Sequence, residues 1–146
     1  MYEQILVPTD GSDMVTAPTE HAIELATNFD STVHALYAIE PENTTLPSDA
    51  MRHDEMYDDY VAWGEEITTN ITDQARDSGL EGVATVRDGT PHKVISEYAE
   101  ENDIDVIVMG TAGRLGWRER LLGSVTERTL RTSQVPVLTV KPDETE

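Results

Sequence analysis

Glycines and a small hydroxyl residue follow an apolar run with the spacing of an anion-binding loop. The run from Ile104 to Met109 is followed by glycines at positions 110, 113 and 116. A second turn, Gly123-Ser124, then opens a stretch with helical character. Glycine lets a backbone approach a phosphate closely because it has no Cβ, and a helix N-terminus offers N–H groups and the positive end of its dipole. The segment therefore predicts a site for a phosphate-bearing ligand.

Two polar residues in this pattern have a second interpretation that remains open. Ser124 and Glu127 have the spacing of a capping box, which predicts Ser124 as the N-cap of a helix that ends at about Thr132. Ser124 would then satisfy the N–H groups of its own helix, although phosphate binding uses the same geometry. Asp10 or Ser12, in the turn after the apolar run 5–7, can likewise cap the first helix, while Asp10 can also contact a ligand.

Positive charge is concentrated around the glycine loop. The chain carries a formal charge of −19, with 29 acidic and ten basic residues. Five of its cations, against two glutamates, lie between residues 111 and 134: Arg114, Arg118, Arg120, Arg128 and Arg131. The last two also suit the end of a helix or pairs with surface carboxylates. Arg114 lies inside the glycine loop, so we predict that it contacts the phosphates.

Other patterns of catalytic or metal-binding residues are missing from the sequence. It has no G-x-x-x-x-G-K-[ST] loop, no Ser/His/Asp arrangement in a recognisable context, and no ligand spacing among its four histidines. The absence of cysteine excludes disulfides and thiolate metal sites. A phosphate-bearing ligand held by backbone amides without an evident base predicts weak hydrolysis at most.

The acidic composition bounds the partners and the location. Such a surface repels nucleic acid and anionic membranes, so we expect neither as a partner. We find no signal-peptide pattern and no apolar run near the ~18 residues of a membrane helix, so a soluble, cytoplasmic protein is expected. The composition resembles that of cytoplasmic proteins from salt-loving organisms, in which folding depends on salt.

Apolar periodicity predicts alternating strands and helices that position these residues. The predicted strands are 5–7, 32–39, 83–86, 104–109 and 135–140. The predicted helices cover 22–29, 51–78, the segment after Thr90-Pro91, and 124–132. Pro18 predicts a kink in the first helix or the start of its regular part. Gly79 is predicted to end the long helix as a C′ residue. Pro136 predicts that the last strand lies at an edge of the sheet or starts at this residue.

Two tryptophans and one polar segment lie outside the predicted strands. Trp63 falls on the apolar stripe of the long helix and is predicted to pack in the core. The polar segment from Glu40 to about Ala50 is predicted as a loop that could fold over a ligand. Trp117 fits either a dimer surface or a cover over the phosphate loop.

The alternation of strands and helices predicts a parallel sheet with helices on both faces and right-handed crossovers. In such sheets a ligand binds beyond the carboxyl ends of the strands, where the strand order reverses. If the first and fourth strands form the central pair, the turn 8–10 and Gly110 face each other. The backbone of residues 37–39 then lies alongside, and the cleft could hold a base, a sugar and phosphates.

The spacing Gly110-x2-Gly113-x9-Gly123-Ser124 resembles the ATP-binding signature of the universal stress protein family. The resemblance extends to the opening strand and turn (5–12), the first helix (20–26) and the last two strands (106–110 and 133–140). It covers essentially the whole chain, which we expect to form one domain over residues 1–146 with a frayed tail from about 142. It implies a Rossmann-like α/β fold of the adenine nucleotide alpha hydrolase-like type. Its five-stranded parallel sheet would have the order 3-2-1-4-5, with helices on both faces.

The resemblance also implies a ligand, a metal and an assembly. The ligand would be ATP with Mg²⁺ or Mn²⁺ on its phosphates, and the protein would be a homodimer paired through the last strand, Val135 to Val140. By matching position, Asp10 would contact the ribose or adenine, and Pro8 and Thr9 would line that side. The main chain of Ala38 would lie at the adenine, and the main chain of Met109 would lie at the ribose. The phosphates would be held by Gly110, Gly113, Gly123 and Ser124, with help from the N–H groups of Val125 and Thr126.

Three functions remain open at this point. The favoured one is a dimeric ATP-binding switch or sensor in the stress response. The second is a slow ATPase or phosphotransfer enzyme, and the third a nucleotide-free interaction module in which the glycine loop only shapes a dimer. A flavodoxin-like FMN protein is a more distant alternative, which would be coloured. ADP and AMP also remain open, because a backbone contact at Ala38 reads the base and not the phosphates.

Overall fold

The computed structural model describes residues 1–40, 50–111 and 122–142. Within these ranges five strands alternate with four α-helices. The strands are β1 (Gln4–Thr9), β2 (Thr32–Ile39), β3 (Glu81–Asp88), β4 (Val106–Gly110) and β5 (Val137–Val140). The helices are α1 (Thr16–Phe29), α2 (Ala50–Asp77), α3 (Pro91–Glu101) and α4 (Ser124–Thr132), and a 3-10 turn (Asp13–Val15) precedes α1.

All strand pairs are parallel, and the sheet has the order β3-β2-β1-β4-β5. Alternate residues of β1 enter different cores: Ile5 and Val7 pack with residues of α1 and α2, whereas Leu6 packs with residues of α3. The helices therefore cover both faces of the sheet, which confirms the predicted architecture. No helix in the described ranges has the length and apolar character needed to cross a membrane.

Three predictions about helix and strand ends are confirmed. Pro18 is the third residue of α1, close to the helix start, where proline is tolerated because an N–H in the first turn has no partner within the helix. Gly79 follows α2 with a φ of +82° and donates its N–H to the carbonyl of Arg76 at 2.9 Å. β5 lies at the edge of the sheet and begins directly after Pro136.

Two predicted strands are too long at their starts. Ile104 does not belong to β4, because its N–H donates to the carbonyl of Ala99 at 2.9 Å and closes the end of α3. Val135 does not belong to β5, because its N–H and carbonyl both bond to the hydroxyl of Ser133 in a local turn. The third strand, by contrast, is longer than predicted and pairs with β2 over its whole length.

The prediction that Trp63 packs in the core is wrong. Ile71 and Ala75, further along the same stripe of α2, are buried against the sheet, whereas Trp63 is 37% exposed. The helix has 28 residues and is therefore about 42 Å long, whereas the eight residues of β2 span about 26 Å. Its apolar stripe thus leaves the core before the helix reaches its N-terminus.

Candidate functional site

The two central strands stop pairing before their carboxyl ends. β1 pairs with β2 as far as Thr9 and Tyr37, but with β4 only as far as Leu6 and Ile107. The carbonyl of Gln4 accepts the N–H of Asp105 at 2.8 Å, so even-numbered residues of β1 direct their backbone polar groups toward β4. Pro8 shares this orientation and has no N–H for the next rung of the ladder. An opening between β1 and β4 therefore begins at Pro8, where the strand order reverses.

A network of short-range hydrogen bonds fixes the turn after β1. The hydroxyl of Thr9 accepts the N–H of Gly11 at 3.0 Å, and the Oδ1 atom of Asp10 accepts the N–H of Ser12 at 2.9 Å. The hydroxyl of Ser12 accepts the N–H of Met14 at 3.3 Å. The N-cap of α1 is Val15, without a side-chain bond. Neither Asp10 nor Ser12 therefore caps α1, because the 3-10 turn separates them from it.

The N-terminus of α4 is joined directly to the end of β4. The N–H of Gly123 donates to the carbonyl of Thr111 at 2.6 Å, and the hydroxyl of Thr126 donates to the carbonyl of Gly110 at 2.8 Å. Because these two bonds connect both sides of the segment 112–121, they place the first turn of α4 beside the opening between the central strands.

The predicted capping box at Ser124 is wrong. The N-cap is Gly123, which is extended with φ −72° and ψ 163°, and Ser124 is the first helical residue. Among the described residues no side chain caps this helix, because its N-cap is a glycine. The hydroxyl of Thr126, in the first turn, bonds to the end of β4. The first-turn N–H groups of α4 thus stay available to a ligand, and the partly exposed Gly123 and exposed Ser124 leave room for it.

The structure brings most of the predicted site residues to one edge of the sheet. Pro8, Thr9 and Asp10 lie at the end of β1, Ala38 near the end of β2, Met109 and Gly110 at the end of β4, and Gly123, Ser124, Val125 and Thr126 at the start of α4. Gly113 and Arg114 lie outside the described residues, as do the predicted loop at 41–49 and the tail from 143. The side chain of Met109 is buried in the core on the α3 side, so only its main chain can take part.

The backbone of Ala38 is oriented toward the same opening. The N–H of Thr32 donates to Glu3 at 2.9 Å, so even-numbered residues of β2 direct their polar groups toward β1, and the pairing of the two strands ends one residue before Ala38. The next donor of the ladder would be the N–H of Gly11, which donates to the Thr9 hydroxyl instead. The carbonyl of Ala38 therefore faces the edge beyond the end of β1.

The donors at this edge suit a phosphate better than a bare metal ion. Backbone N–H groups and hydroxyls surround the start of α4, and the described ranges contain no group of three or more His, Asp or Glu side chains that could hold a metal. A divalent cation at this edge would therefore depend on ligands from a bound nucleotide. Such a cation would neutralise phosphate charge beside a strongly acidic protein.

Sequence reasoning missed three residues at this edge. The carbonyl of Thr111 accepts the N–H of Gly123, and no local pattern indicates such a contact. Gly11 has a φ of +86°, for which the Asp10-Gly11 dipeptide was a usable signal. Trp63 packs against Gly11, which only the tertiary structure shows.

Comparison with known proteins agrees with this architecture. The model of the universal stress protein family matches residues 1–141. Universal stress protein MJ0531 from Methanocaldococcus jannaschii is 35% identical over 143 residues, which cover 97% of this chain and 83% of the relative.

Solved structures show the same fold with a related sequence. The structure of protein MJ0577 from Methanocaldococcus jannaschii superimposes with a TM-score of 0.90 and 30% identity, covering 99% of both chains. A universal stress protein in complex with cAMP superimposes with a TM-score of 0.65 and 27% identity, over 96% of this chain and 97% of the other. Because the family model matches almost the whole chain, and because the sheet order and these relatives agree with it, the chain belongs to the universal stress protein family.

Proposed function

We propose that this protein binds an adenine nucleotide, ATP, at the carboxyl edge of its sheet and acts as a nucleotide-dependent regulatory module of the stress response. The observation that carries the proposal is the uncapped N-terminus of α4, bonded to the end of β4 beside the opening that Pro8 creates. This arrangement combines an anion site with a crevice at the reversal of strand order.

The adenine lies at the β2 side of this edge. The carbonyl of Ala38 is an acceptor that faces the opening, and it can receive a hydrogen bond from the exocyclic amino group of adenine. A base with a carbonyl at that position would place two acceptors together and would leave both without a donor. Asp10, Pro8 and Thr9 line the same side next to the ribose, and the relative solved with cAMP supports an adenine ligand.

The phosphates extend toward α4. The N–H groups of Ser124, Val125 and Thr126 and the hydroxyl of Ser124 donate to them, with Gly110 and Gly123 allowing close approach of the backbone. Gly113 and Arg114 complete the phosphate site in this proposal, and Mg²⁺ or Mn²⁺ binds to the phosphates. Hydrolysis is weak at most, because the Oδ1 atom of Asp10 already holds the turn at Ser12 and is poorly placed to act as a base.

The protein works as a homodimer paired through β5 in this proposal. β5 lies at the edge of the sheet, where its outer backbone groups can pair with a second copy. Two apolar side chains are exposed near this edge, Leu138 on β5 and Leu130 on α4, each with 41% of its surface accessible. A second copy packed along β5 would cover them.

Titration calorimetry on nucleotide-free protein with magnesium tests the proposed ligand. ATP is expected to bind with one site per chain. ITP, which differs by a carbonyl in place of the amino group, is expected to bind about ten- to a hundredfold more weakly, as is typical when a buried acceptor loses its donor. The absence of heat with ATP would contradict the proposal, and equal affinity for ITP would contradict the assigned role of Ala38.

A further inference from the structure

The indole ring of Trp63 lies against the turn that follows β1. A Cβ atom added at Gly11 would lie 2.5 Å from the Cη2 atom and 2.7 Å from the Cζ2 atom of Trp63. The ring is therefore in direct contact with the backbone next to Asp10. A large aromatic side chain of α2 thus reaches the edge of the sheet at which the nucleotide is proposed to bind.

Tyr37 holds the ring in this position. The two ring centroids are 5.5 Å apart and the ring planes meet at 80°, an edge-to-face arrangement. Tyr37 is only 4% exposed, pairs in register with Thr9, and directly precedes Ala38. A buried tyrosine thus fixes an indole that keeps more than a third of its own surface accessible.

The N-terminal part of α2 continues past the edge of the sheet. Tyr57, almost two turns before Trp63, forms a hydrogen bond to the carboxylate of Asp88, the last residue of β3, and this bond raises the pKa of Tyr57. Because this bond ties α2 to the carboxyl end of the sheet, the helix borders the candidate site as a side wall. Trp63, together with Ile67, contacts the turn after β1.

We propose that Trp63 forms the wall of the nucleotide site at its nucleoside end, where its indole packs against the base or the ribose. This inference rests on the proposed nucleotide binding. The ring contacts Gly11 and Tyr37, the sequence neighbours of Asp10 and Ala38, which we assign to the nucleoside. The start of α4 is assigned to the phosphates. An indole offers an apolar π-surface that suits a base and offers little to a phosphate.

The first test measures whether nucleotide covers the ring. Trp117→Phe leaves Trp63 as the single tryptophan of the chain, so that its fluorescence can be followed alone. Saturating ATP is expected to reduce acrylamide quenching of Trp63 at least twofold, with the change complete at one nucleotide per chain. Unchanged quenching at saturating ATP would overturn the inference while leaving the proposed function intact.

The second test compares ligands with and without phosphates. Trp63→Ala is expected to lower the affinities for ATP and for adenosine by the same factor, about tenfold for the loss of one base–aromatic contact. Trp63→Phe, which keeps an aromatic ring, is expected to lose less than threefold. Glu66→Ala, at an exposed position of the same helix, is the matched control and should bind like the wild type. Competition against labelled ATP gives both affinities.

The outcomes separate the two proposals. Equal losses for ATP and adenosine in Trp63→Ala, with partial rescue by phenylalanine, support the wall at the nucleoside end. Unchanged affinity in Trp63→Ala, or a loss confined to ATP, would overturn it. Failure of the wild-type protein to bind any adenine nucleotide would overturn the proposed function and this inference together. Thermal unfolding of each variant shows whether a loss reflects unfolding, and the acrylamide quenching of Trp63 decides the question if Trp63→Ala is unstable.

Discussion

Pro8 determines where the pairing of the two central strands ends. Gln4 and Leu6, the preceding even-numbered residues of β1, direct their backbone polar groups toward β4, but proline cannot donate the next hydrogen bond. On the other side of the opening, Thr126 uses its hydroxyl to hold α4 at the end of β4. These two residues create the space and the anion site, and neither needs a charged side chain to do so.

Ser124 allows the backbone contribution to be tested by itself. Proline is favoured at the first position of a helix, and the extended backbone of Gly123 is compatible with a following proline. Ser124→Ala removes only the hydroxyl, whereas Ser124→Pro also removes the N–H. We expect ATP affinity to fall about tenfold with alanine and by at least a further factor of about ten with proline, since hydrogen bonds to charged groups contribute about 1.5–3 kcal/mol each.

Adenosine serves as the internal control for these variants, because it has no phosphates and its affinity should stay the same in both. Thr132→Ala, at the opposite end of α4, should bind ATP normally. Equal losses for adenosine and ATP would indicate a general disturbance of the site and contradict the assignment of α4 to the phosphates.

Gly11 is constrained by its conformation and by its neighbour. Its φ is +86° and an added Cβ would collide with Trp63, whereas Gly79 has a φ of +82° and open space around it. Gly79→Ala should therefore cost about 1–2 kcal/mol of unfolding free energy from backbone strain alone. Gly11→Ala should cost more by about 1–3 kcal/mol, a range typical of overpacking. Urea unfolding measures the difference. Equal losses of unfolding free energy in the two variants would mean that the Trp63 ring moves away from the added Cβ at no cost.

At the scale of the elements, the alternation of strands and helices was predictable because buried parallel strands and amphipathic helices leave different periodicities. The strand order came from the resemblance of motifs, since periodicity alone does not order a sheet. The start of α4 was misassigned because long-range bonds from Gly123 to Thr111 and from Thr126 to Gly110 select the N-cap. The exposure of Trp63 depends on where α2 passes the edge of the sheet, which no local pattern encodes.

A buried polar network connects three strands with α3 and contains His34, which is 5% exposed. Its Nε2–H donates to the Oε1 atom of Gln4 and its Nδ1 atom accepts the hydroxyl of Tyr98, each at 2.6 Å. The Tyr98 hydroxyl also lies 3.4 Å from that of Thr85, and the guanidinium of Arg87 covers the Tyr98 ring. Both ring nitrogens of a neutral His34 are thus satisfied, and burial lowers its pKa.

Because the folded-state pKa of His34 lies below its unfolded value of about 6.5, the unfolded chain takes up this proton first as the pH falls. The unfolding free energy should therefore decrease below pH 6.5, by at most about 1.4 kcal/mol per pH unit from this group. Urea unfolding at pH 7.5 and 5.0 should show a smaller decrease in His34→Gln than in the wild type. Identical decreases in the two proteins would show that His34 does not titrate on unfolding.

At the scale of the whole molecule, both edge strands of the sheet carry an exposed apolar side chain, Leu138 on β5 and Val83 on β3. The proposed dimer uses β5, so Leu138→Asp should place a charge in the interface and shift the protein to monomers. Val83 on β3, at the opposite edge, is 40% exposed, and Val83→Asp is the matched control that should remain dimeric. Sedimentation equilibrium gives the mass of each, and a dimeric Leu138→Asp protein would place the interface elsewhere.

The measurement that tests the central claim most directly is the identification of any nucleotide that purifies with the protein. Freshly purified protein in high salt with magnesium is denatured, and the supernatant is separated by anion exchange against nucleotide standards. We predict ATP at about one molecule per chain in the wild type and a marked loss in Ser124→Pro. An empty supernatant, together with no heat on titration with ATP, would contradict nucleotide binding and would mean that the glycine loop has a structural role.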